Sequence, residues 1–281
     1  MEIGSNGNRA ALNLNAEMVR GLLVRFIKDE TTTAGFKKAV IGISGGVDSS
    51  VAAFLAVEAL GKKNVVGVIL PYKTSSSESV KDAESVVREL DIRTENVDIT
   101  GMVDSYSTQR QIKEKVRLGN VMARMRMIVL YDISAREKAL VVGTSNKTEL
   151  LIGYGTQFGD MACAINPLGD LYKTQIWQLA ERLGVPPNIV SKKPTADLWP
   201  GQTDENEIGL TYGELDSLLY LMIDDRMTQE DLLKEGFKKE TIKRIAELVR
   251  KNQFKRRPPL IAKVSYRTIN VDFRYVRDWG M

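Results

Sequence analysis

Ala39-Val40-Ile41-Gly42-Ile43-Ser44-Gly45-Gly46-Val47-Asp48-Ser49-Ser50 is the stretch that decides how this chain folds. Its first five residues are an unbroken apolar run, the pattern of a strand buried on both faces. Ser44 to Asp48 breaks the run, and Ser49 to Leu60 reads as a helix ended by Gly61. Working outward, Val65 to Leu70 is a second buried strand stopped by Pro71. Glu78 to Leu90 reads as a helix with Val80, Ala83, Val87 and Leu90 on one side, and Thr94 to Ile99 as a third strand. Residues 107–137 read mostly as helix, and Ala139 to Gly143 as another buried strand. Upstream, Met18, Leu22 and Phe26 recur at helical spacing, so 16–30 reads as an amphipathic helix and 1–15 as a flexible polar N-terminus.

This alternation predicts an α/β fold, a doubly wound and mainly parallel sheet flanked by helices. Such sheets bind ligands at the carboxyl ends of their strands, where the strand order reverses. The loops at 44–48, 71–78 and 144–160 all leave strand ends and should share that edge. The second half is helical: Thr174 to Leu183, ended by Gly184, then 211–223, 228–235 and 239–251. Between them 192–209, with Pro194, Pro200 and Gly201, reads as a long loop of the kind that serves as a lid, and 73–79 is a second candidate. From Lys255-Arg256-Arg257-Pro258-Pro259 to residue 281 the chain reads as an extended basic tail. We read 1–281 as a single domain.

Composition excludes much chemistry. The 281 residues contain no histidine, which removes Ser-His-Asp and Cys-His catalysis and His-ligated zinc. The one cysteine, Cys163, leaves no disulfide framework, redox pair or four-Cys metal site within one chain, and it reads as a small buried apolar residue. Lys and Arg number 40 against 36 Asp and Glu, a formal charge of +4 with both signs interspersed. That is no nucleic-acid tail. No apolar signal or membrane-length run is visible, so a cytoplasmic protein with neither membrane nor nucleic-acid partner is the default.

The loop itself points to phosphate. Gly42, Gly45 and Gly46 let backbone amides approach an anion, the following helix aims its amides at the same spot, and Ser44 and Ser49 add hydroxyls. No Gly-Lys-Ser/Thr ends the loop, so it is not a Walker A. Asp48 would repel a phosphate unless a cation intervened, and Mg²⁺, bound through one or two carboxylates and phosphate oxygens, would resolve that. A tight turn with an Asp near a helix N-cap reads the same residues. Glu149 follows the 139–143 strand and can face Asp48 across the sheet edge, or be a surface Glu on a short helix. Lys173 opens a helix, against the dipole, which either marks a negative partner or an exposed lysine. On the 107–137 helix, Val121, Met125, Ile128 and Val129 make an apolar stripe. At about 100° per residue Arg124 borders it and Arg126 lies opposite.

Ser44-Gly45-Gly46-Val47-Asp48-Ser49 resembles the PP-loop signature of the N-type ATP pyrophosphatases. Across roughly 16–262 the chain is similar to one branch of them, the ammonia-dependent NAD synthetase family. The similarity rests on Leu70-Pro71-Tyr72, Gly119 to Arg124, Gly143-Thr144-Ser145-Asn146-Lys147-Thr148-Glu149, Asn166-Pro167-Leu168, Pro194-Thr195-Ala196-Asp197-Leu198 and the Lys255 segment. The resemblance implies an adenine nucleotide alpha hydrolase-like fold. It implies ATP contacts at Gly42, Ile43, Ser44, Gly45, Gly46, Val47, Asp48, Ser49, Thr144, Lys173 and Thr195. It carries Mg²⁺ to Asp48 and Glu149, deamido-NAD to Arg124 and Lys255, and catalytic roles to Asp48, Glu149 and Lys173. The reaction it implies is adenylation of the nicotinate carboxylate of deamido-NAD by ATP, then attack by ammonia, in a homodimer whose dinucleotide site is shared. The Met-rich 111–137 helix is the candidate dimer face, or an ordinary core helix. A glutamine-using version would need an amidase domain with its own nucleophilic Cys, so free ammonia, or ammonia from a separate subunit, is the expected donor. Gln157 and Ala164 stand where some relatives carry Lys and Asp, and Phe254 where some carry His, which puts those dinucleotide contacts in question. Two other readings remain: a PP-loop enzyme that adenylates tRNA, and a non-catalytic ATP-binding protein of the universal-stress type.

Overall fold

The computed structural model describes residues 12–199, 201–269 and 272. Four parallel strands, β1 (Lys38–Gly42), β2 (Val65–Ile69), β3 (Arg93–Asn96) and β4 (Ala139–Val141), form a sheet in the order β3-β2-β1-β4. Val40 lies opposite Val66 on one side and Val141 on the other. The chain runs from β1 outward to β3 and returns to β4 on the far side of β1. The order therefore reverses between β1 and β4, and a crevice opens beyond their carboxyl ends.

Alternation along the buried strands feeds two cores. Ala39 and Ile41, with Val65 and Ile69, face α1 (Ala16–Thr33), α2 (Val47–Leu60), α3 (Ser77–Leu90) and α7 (Lys173–Leu183), where Ile27, Leu55, Val86 and Ile176 meet them. Val40, Val66 and Val68 face α4 (Thr100–Gln109) and α5 (Lys115–Glu137) through Val103, Met122 and Ile133. Each such side chain, fully buried, contributes roughly 1.5–3 kcal/mol. The expected doubly wound parallel sheet is the sheet this chain builds.

A third core holds the second half. It joins α6 (Lys147–Ile152), α9 (Asp204–Ile208), α10 (Tyr212–Leu219), α11 (Gln229–Lys234) and α12 (Lys239–Lys251) through Ile152, Ile208, Leu215, Leu232 and Ile245. Trp177 packs against this core and the sheet core alike, meeting the Tyr212 ring edge-on at 6.0 Å. The short α8 (Pro187–Val190) follows α7, and its Ile189 reaches the sheet core.

Several boundaries differ from the sequence reading. The helix after the glycine loop begins at Val47, because extended Gly46 is its N-cap, and this puts Asp48 in the first turn. The single helix expected over 107–137 is two, α4 and α5, separated where Gln111 takes a left-handed backbone (φ 50°) without any Gly or Pro to announce it. The third strand ends at Asn96, although Val97 and Ile99 still donate to the carbonyls of Ile69 and Pro71. The long loop at 192–209 contains α9, whose first turn holds Asp204, Glu205 and Glu207 where the helix dipole favours acids. After α10 the chain makes a π turn over Tyr220–Asp224. Of the flexible segment expected over 1–15, residues 1–11 lie outside the described residues. Leu12 is buried, and the Gln178 amide bridges the Leu12 carbonyl and the Leu14 N–H. Of the extended basic tail, residues 257–269 carry no helix or strand, with Leu260, Val264 and Tyr266 exposed, and 270, 271 and 273–281 lie outside the described residues. Among the described residues no helix is long and apolar enough to cross a membrane.

Candidate active site

The glycine loop sits at the carboxyl end of β1 in a fixed shape. Gly45 takes φ 79°, and a Cβ there would run into the Ser79 carbonyl oxygen at the start of α3, so only glycine fits. The Ser49 hydroxyl accepts from the Ser44 N–H (3.2 Å) and donates to the Gly46 carbonyl (3.0 Å), and the Ser44 hydroxyl accepts from the Gly46 N–H (3.3 Å). No side chain caps the N-terminus of α2, so its first amides are free for an anion.

Asp48 meets groups brought from far along the chain. The Lys173 ammonium lies 2.5 Å from Asp48 Oδ2 and 3.2 Å from Glu149 Oε1, and its side chain is only 4% exposed. Asn146 is fully buried at the N-cap of α6. Its Oδ1 accepts the Glu149 N–H (2.9 Å) and its Nδ2 donates to Asp48 Oδ1 (2.8 Å). One amide thereby ties the Asp48 carboxylate to the helix turn that carries Glu149. Below them Asp216, fully buried on α10, accepts the Thr148 hydroxyl (2.6 Å) and the Thr174 N–H (2.8 Å), while the Lys173 N–H donates to the Thr148 hydroxyl (3.0 Å). Asp216 thus pins the helix start that carries Lys173. Burial pushes the Asp216 carboxyl up to about 6.

The electrostatics of this cluster fit a cation. Burial pushes the Glu149 carboxyl up to about 7; Lys173 pulls it back, and the Asp48 and Asp204 carboxylates push it further up. Burial also opposes the Lys173 charge, but Asp48 and Glu149 overcome that and hold the ammonium protonated. With Asp48, Glu149 and Asp204 all ionised, one ammonium would leave negative charge to neutralise. Among the described residues no three His, Cys, Asp or Glu side chains form a metal cage. Two carboxylates open to a cavity suit Mg²⁺, which takes few protein ligands and completes its shell with water and phosphate oxygens.

That cavity, about 760 Å³, lies over the crevice. Of the residues singled out in the sequence, Gly42, Ile43, Ser44, Gly46, Asp48, Ser49, Thr144, Glu149, Thr195 and Lys255 line it. Gly45 and Val47 do not: Gly45 shapes the turn, and Val47 is buried in the core. Lys173 lies beneath, reaching the site through its ammonium. The Lys255 ammonium donates to the carbonyls of Gly153 (2.7 Å) and Gly155 (2.9 Å). The two candidate lids meet where Asp197 Oδ2 accepts the Ser76 N–H (2.9 Å), and the Lys192 ammonium ties the second of them to Asp82 on α3 (2.6 Å).

The angular reading of α5 is corrected. Arg124 is exposed, donates to the Gln157 carbonyl (3.2 Å) and does not line the cavity, whereas Arg126 does. The presumed stripe failed because α5 buries more than one side: Met122 and Ala123 are buried, while Ile128 is 51% exposed. Asn146, Asp204, Asp216 and Tyr154 were also missed. Asn146 could have been found as an N-cap three residues before Glu149; Asp216 left no local signal, since its partners lie on other elements.

Comparison with known proteins bears on this arrangement. A family model described as NAD synthase matches residues 19–259. The chain belongs to the NAD synthase family. It is 54% identical over 269 residues to the NH(3)-dependent NAD(+) synthetase of Trichlorobacter lovleyi, covering 96% of this chain and 98% of that protein. Its fold matches NMN synthetase from Francisella tularensis (TM-score 0.80, 33% identity, 89% of this chain and 99% of that one). It also matches the NH3-dependent NAD synthetase from Campylobacter jejuni (TM-score 0.77, 32% identity, 89% and 100%). Within this NAD synthase framework the departures at Gln157, Ala164 and Phe254 fall outside the carboxylate cluster. Gln157 serves Arg124 through its backbone carbonyl, Ala164 is exposed, and Phe254 is 59% exposed.

Proposed function

We propose that the chain amidates deamido-NAD with ammonia at the expense of ATP, yielding NAD, AMP and pyrophosphate. One observation carries the reading: Asp48 and Glu149, from two separate strand ends, converge with Lys173 on a cavity floored by a glycine loop. Asp48 and Glu149 would hold Mg²⁺, which when bound supplies charge neutralisation on the phosphates. The loop amides and the Ser44 and Ser49 hydroxyls grip the triphosphate. The nicotinate carboxylate attacks the α-phosphorus, the bond to the β-phosphate oxygen breaks, and Lys173 steadies the charge on departing pyrophosphate. Ammonia then attacks the acyl carbon and AMP leaves. The joined segments at 73–79 and 192–203 keep water from the adenylate. Thr144 and Thr195 line the ATP side, and Lys255 and Arg124 belong to the dinucleotide's. We place the enzyme in the cytoplasm and read it as a homodimer, supported by exposed apolar residues on α5 and nearby: Val116 (67%), Ile128 (51%) and Phe158 (56%).

Purified protein with ATP, Mg²⁺, ammonium chloride and deamido-NAD should form NAD, AMP and pyrophosphate in equal amounts. AMP release without deamido-NAD, or with tRNA in its place, would overturn the reading. Ala164 offers no polar side chain, and a solved relative is an NMN synthetase, so the nicotinate mononucleotide belongs in the same assay as a second acceptor. Sedimentation velocity checks the dimer.

A further inference from the structure

Helix α5 carries two arginines two residues apart, so their side chains leave it on opposite sides. Arg124 goes outward. Arg126 goes inward on the row that holds Met122 and Leu130, and Leu130 sits close enough to the glycine loop that a Cβ on Gly42 would lie 3.3 Å from its Cδ1. The guanidinium therefore reaches the carboxyl end of the sheet and lines the cavity. Its Nε donates to the Leu70 carbonyl at the end of β2, 3.1 Å away. That single bond anchors the group and fixes the plane of the fork. Among the described residues its terminal nitrogens have no hydrogen-bond partner, and no carboxylate lies within ion-pairing distance of them. Asp197 and Asp160 act on it only through space, and burial is the chief influence on its charge.

A largely buried guanidinium stays protonated, and leaving its N–H groups unmet costs more than one ordinary hydrogen bond returns. A planar fork held by one end and open at the other matches an oxyanion, which it can clasp through two parallel hydrogen bonds. We propose that Arg126 is a substrate-binding residue whose terminal nitrogens clasp a substrate oxyanion inside the cavity. This rests on the proposed function and deepens it. The reaction brings several oxyanions of suitable geometry, the ATP phosphates and, on deamido-NAD, the diphosphate and the nicotinate carboxylate, and the chemistry recognised is common to all of them.

The test is direct binding, measured apart from turnover. ATP, and separately deamido-NAD, are titrated calorimetrically into wild-type protein and Arg126→Gln, with thermal melting as the check on folding. The glutamine variant should lose roughly 10- to 100-fold in affinity for one ligand, and Arg126→Lys should recover part of that because it restores charge without the fork. A loss confined to ATP assigns the ATP phosphates; a loss confined to deamido-NAD assigns the dinucleotide, and titration of NAD, which keeps the diphosphate but has an amide for the carboxylate, tells which of its oxyanions is held. A folded Arg126→Gln that binds both ligands within about twofold of wild type overturns the proposal. Should the variant fold poorly, the wild-type protein decides. Phenylglyoxal modification of Arg126, read by peptide mass, should be slowed by ATP or by deamido-NAD, and equal modification with neither and with each overturns the proposal. A wild-type protein that bound ATP and protected Arg126 yet made no NAD would break the catalytic reading and leave this one standing.

Discussion

The floor and the roof of the cavity are built on different principles. In the floor, Asp48 and Glu149, half-buried at the cavity, and Asn146, Thr148, Lys173 and Asp216, all buried, satisfy one another through short hydrogen bonds. The roof, 73–79 and 192–203, is joined to the rest by fewer, half-buried bonds, chiefly Ser76 to Asp197 and Lys192 to Asp82. A buried network is costly to break at any point, whereas a sparse one can open and close. The contrast teaches where this site keeps its geometry and where it lets substrate through.

Removing the shared cation of the floor should do most damage. Lys173→Met leaves Asp48 and Glu149 facing each other unpaired, and about 3–5 kcal/mol of stability should be lost, as read by urea denaturation. Added Mg²⁺ should recover part of it; a variant as stable as wild type would show that the floor is not the rigid half. Asp48→Asn or Glu149→Gln should keep the fold and cut NAD formation by roughly 100-fold or more. Near-normal turnover would remove both from the chemistry. Asp216→Asn keeps the volume but replaces an acceptor by a donor opposite Thr148 or Thr174, and should cost about 1–3 kcal/mol.

Asp216 also sets a pH signature. Its folded carboxyl titrates at about 6, above the ordinary 3.8, so the folded chain binds the extra proton between those values. Its contribution therefore favours the folded state at acid pH and falls as pH rises through that window. Asp216→Asn should flatten that part of the stability profile in pH-dependent denaturation. The smallest effect belongs to the roof: Asp197→Ala frees Ser76 and should leave the melting temperature nearly unchanged. Proteolytic nicking within 192–203 should rise by about 2- to 10-fold. Unchanged nicking would mean that the roof is as fixed as the floor.

The same division decides what the sequence made legible. The β1 run, the glycine loop and Asp48 are local: a strand pattern, a forced turn and a helix start follow one another within ten residues. Lys173 stood out only as a lysine opening a helix and through the family resemblance, whereas Glu149 could be placed at the sheet edge by topology. Asp216 could not, because nothing near it says that its helix packs under the start of α7. Arg126 was misread for a related reason. A helix buried on several sides has no single apolar stripe, so angular position relative to one stripe carries little information. Only the packing of α5 against the sheet ends shows which arginine turns inward.

The pairing of Asp48 with Lys173 spans 125 positions of chain. A ribosome therefore finishes the nucleotide-gripping turn long before it delivers the counter-charge. Until α7 and α10 dock, the emerging half-molecule carries Asp48 and Glu149 as uncompensated acids at the open end of a finished sheet. Vectorial synthesis thus builds the sheet first and the working centre last, and a chain halted near residue 150 would hold the cradle without the ammonium that completes it.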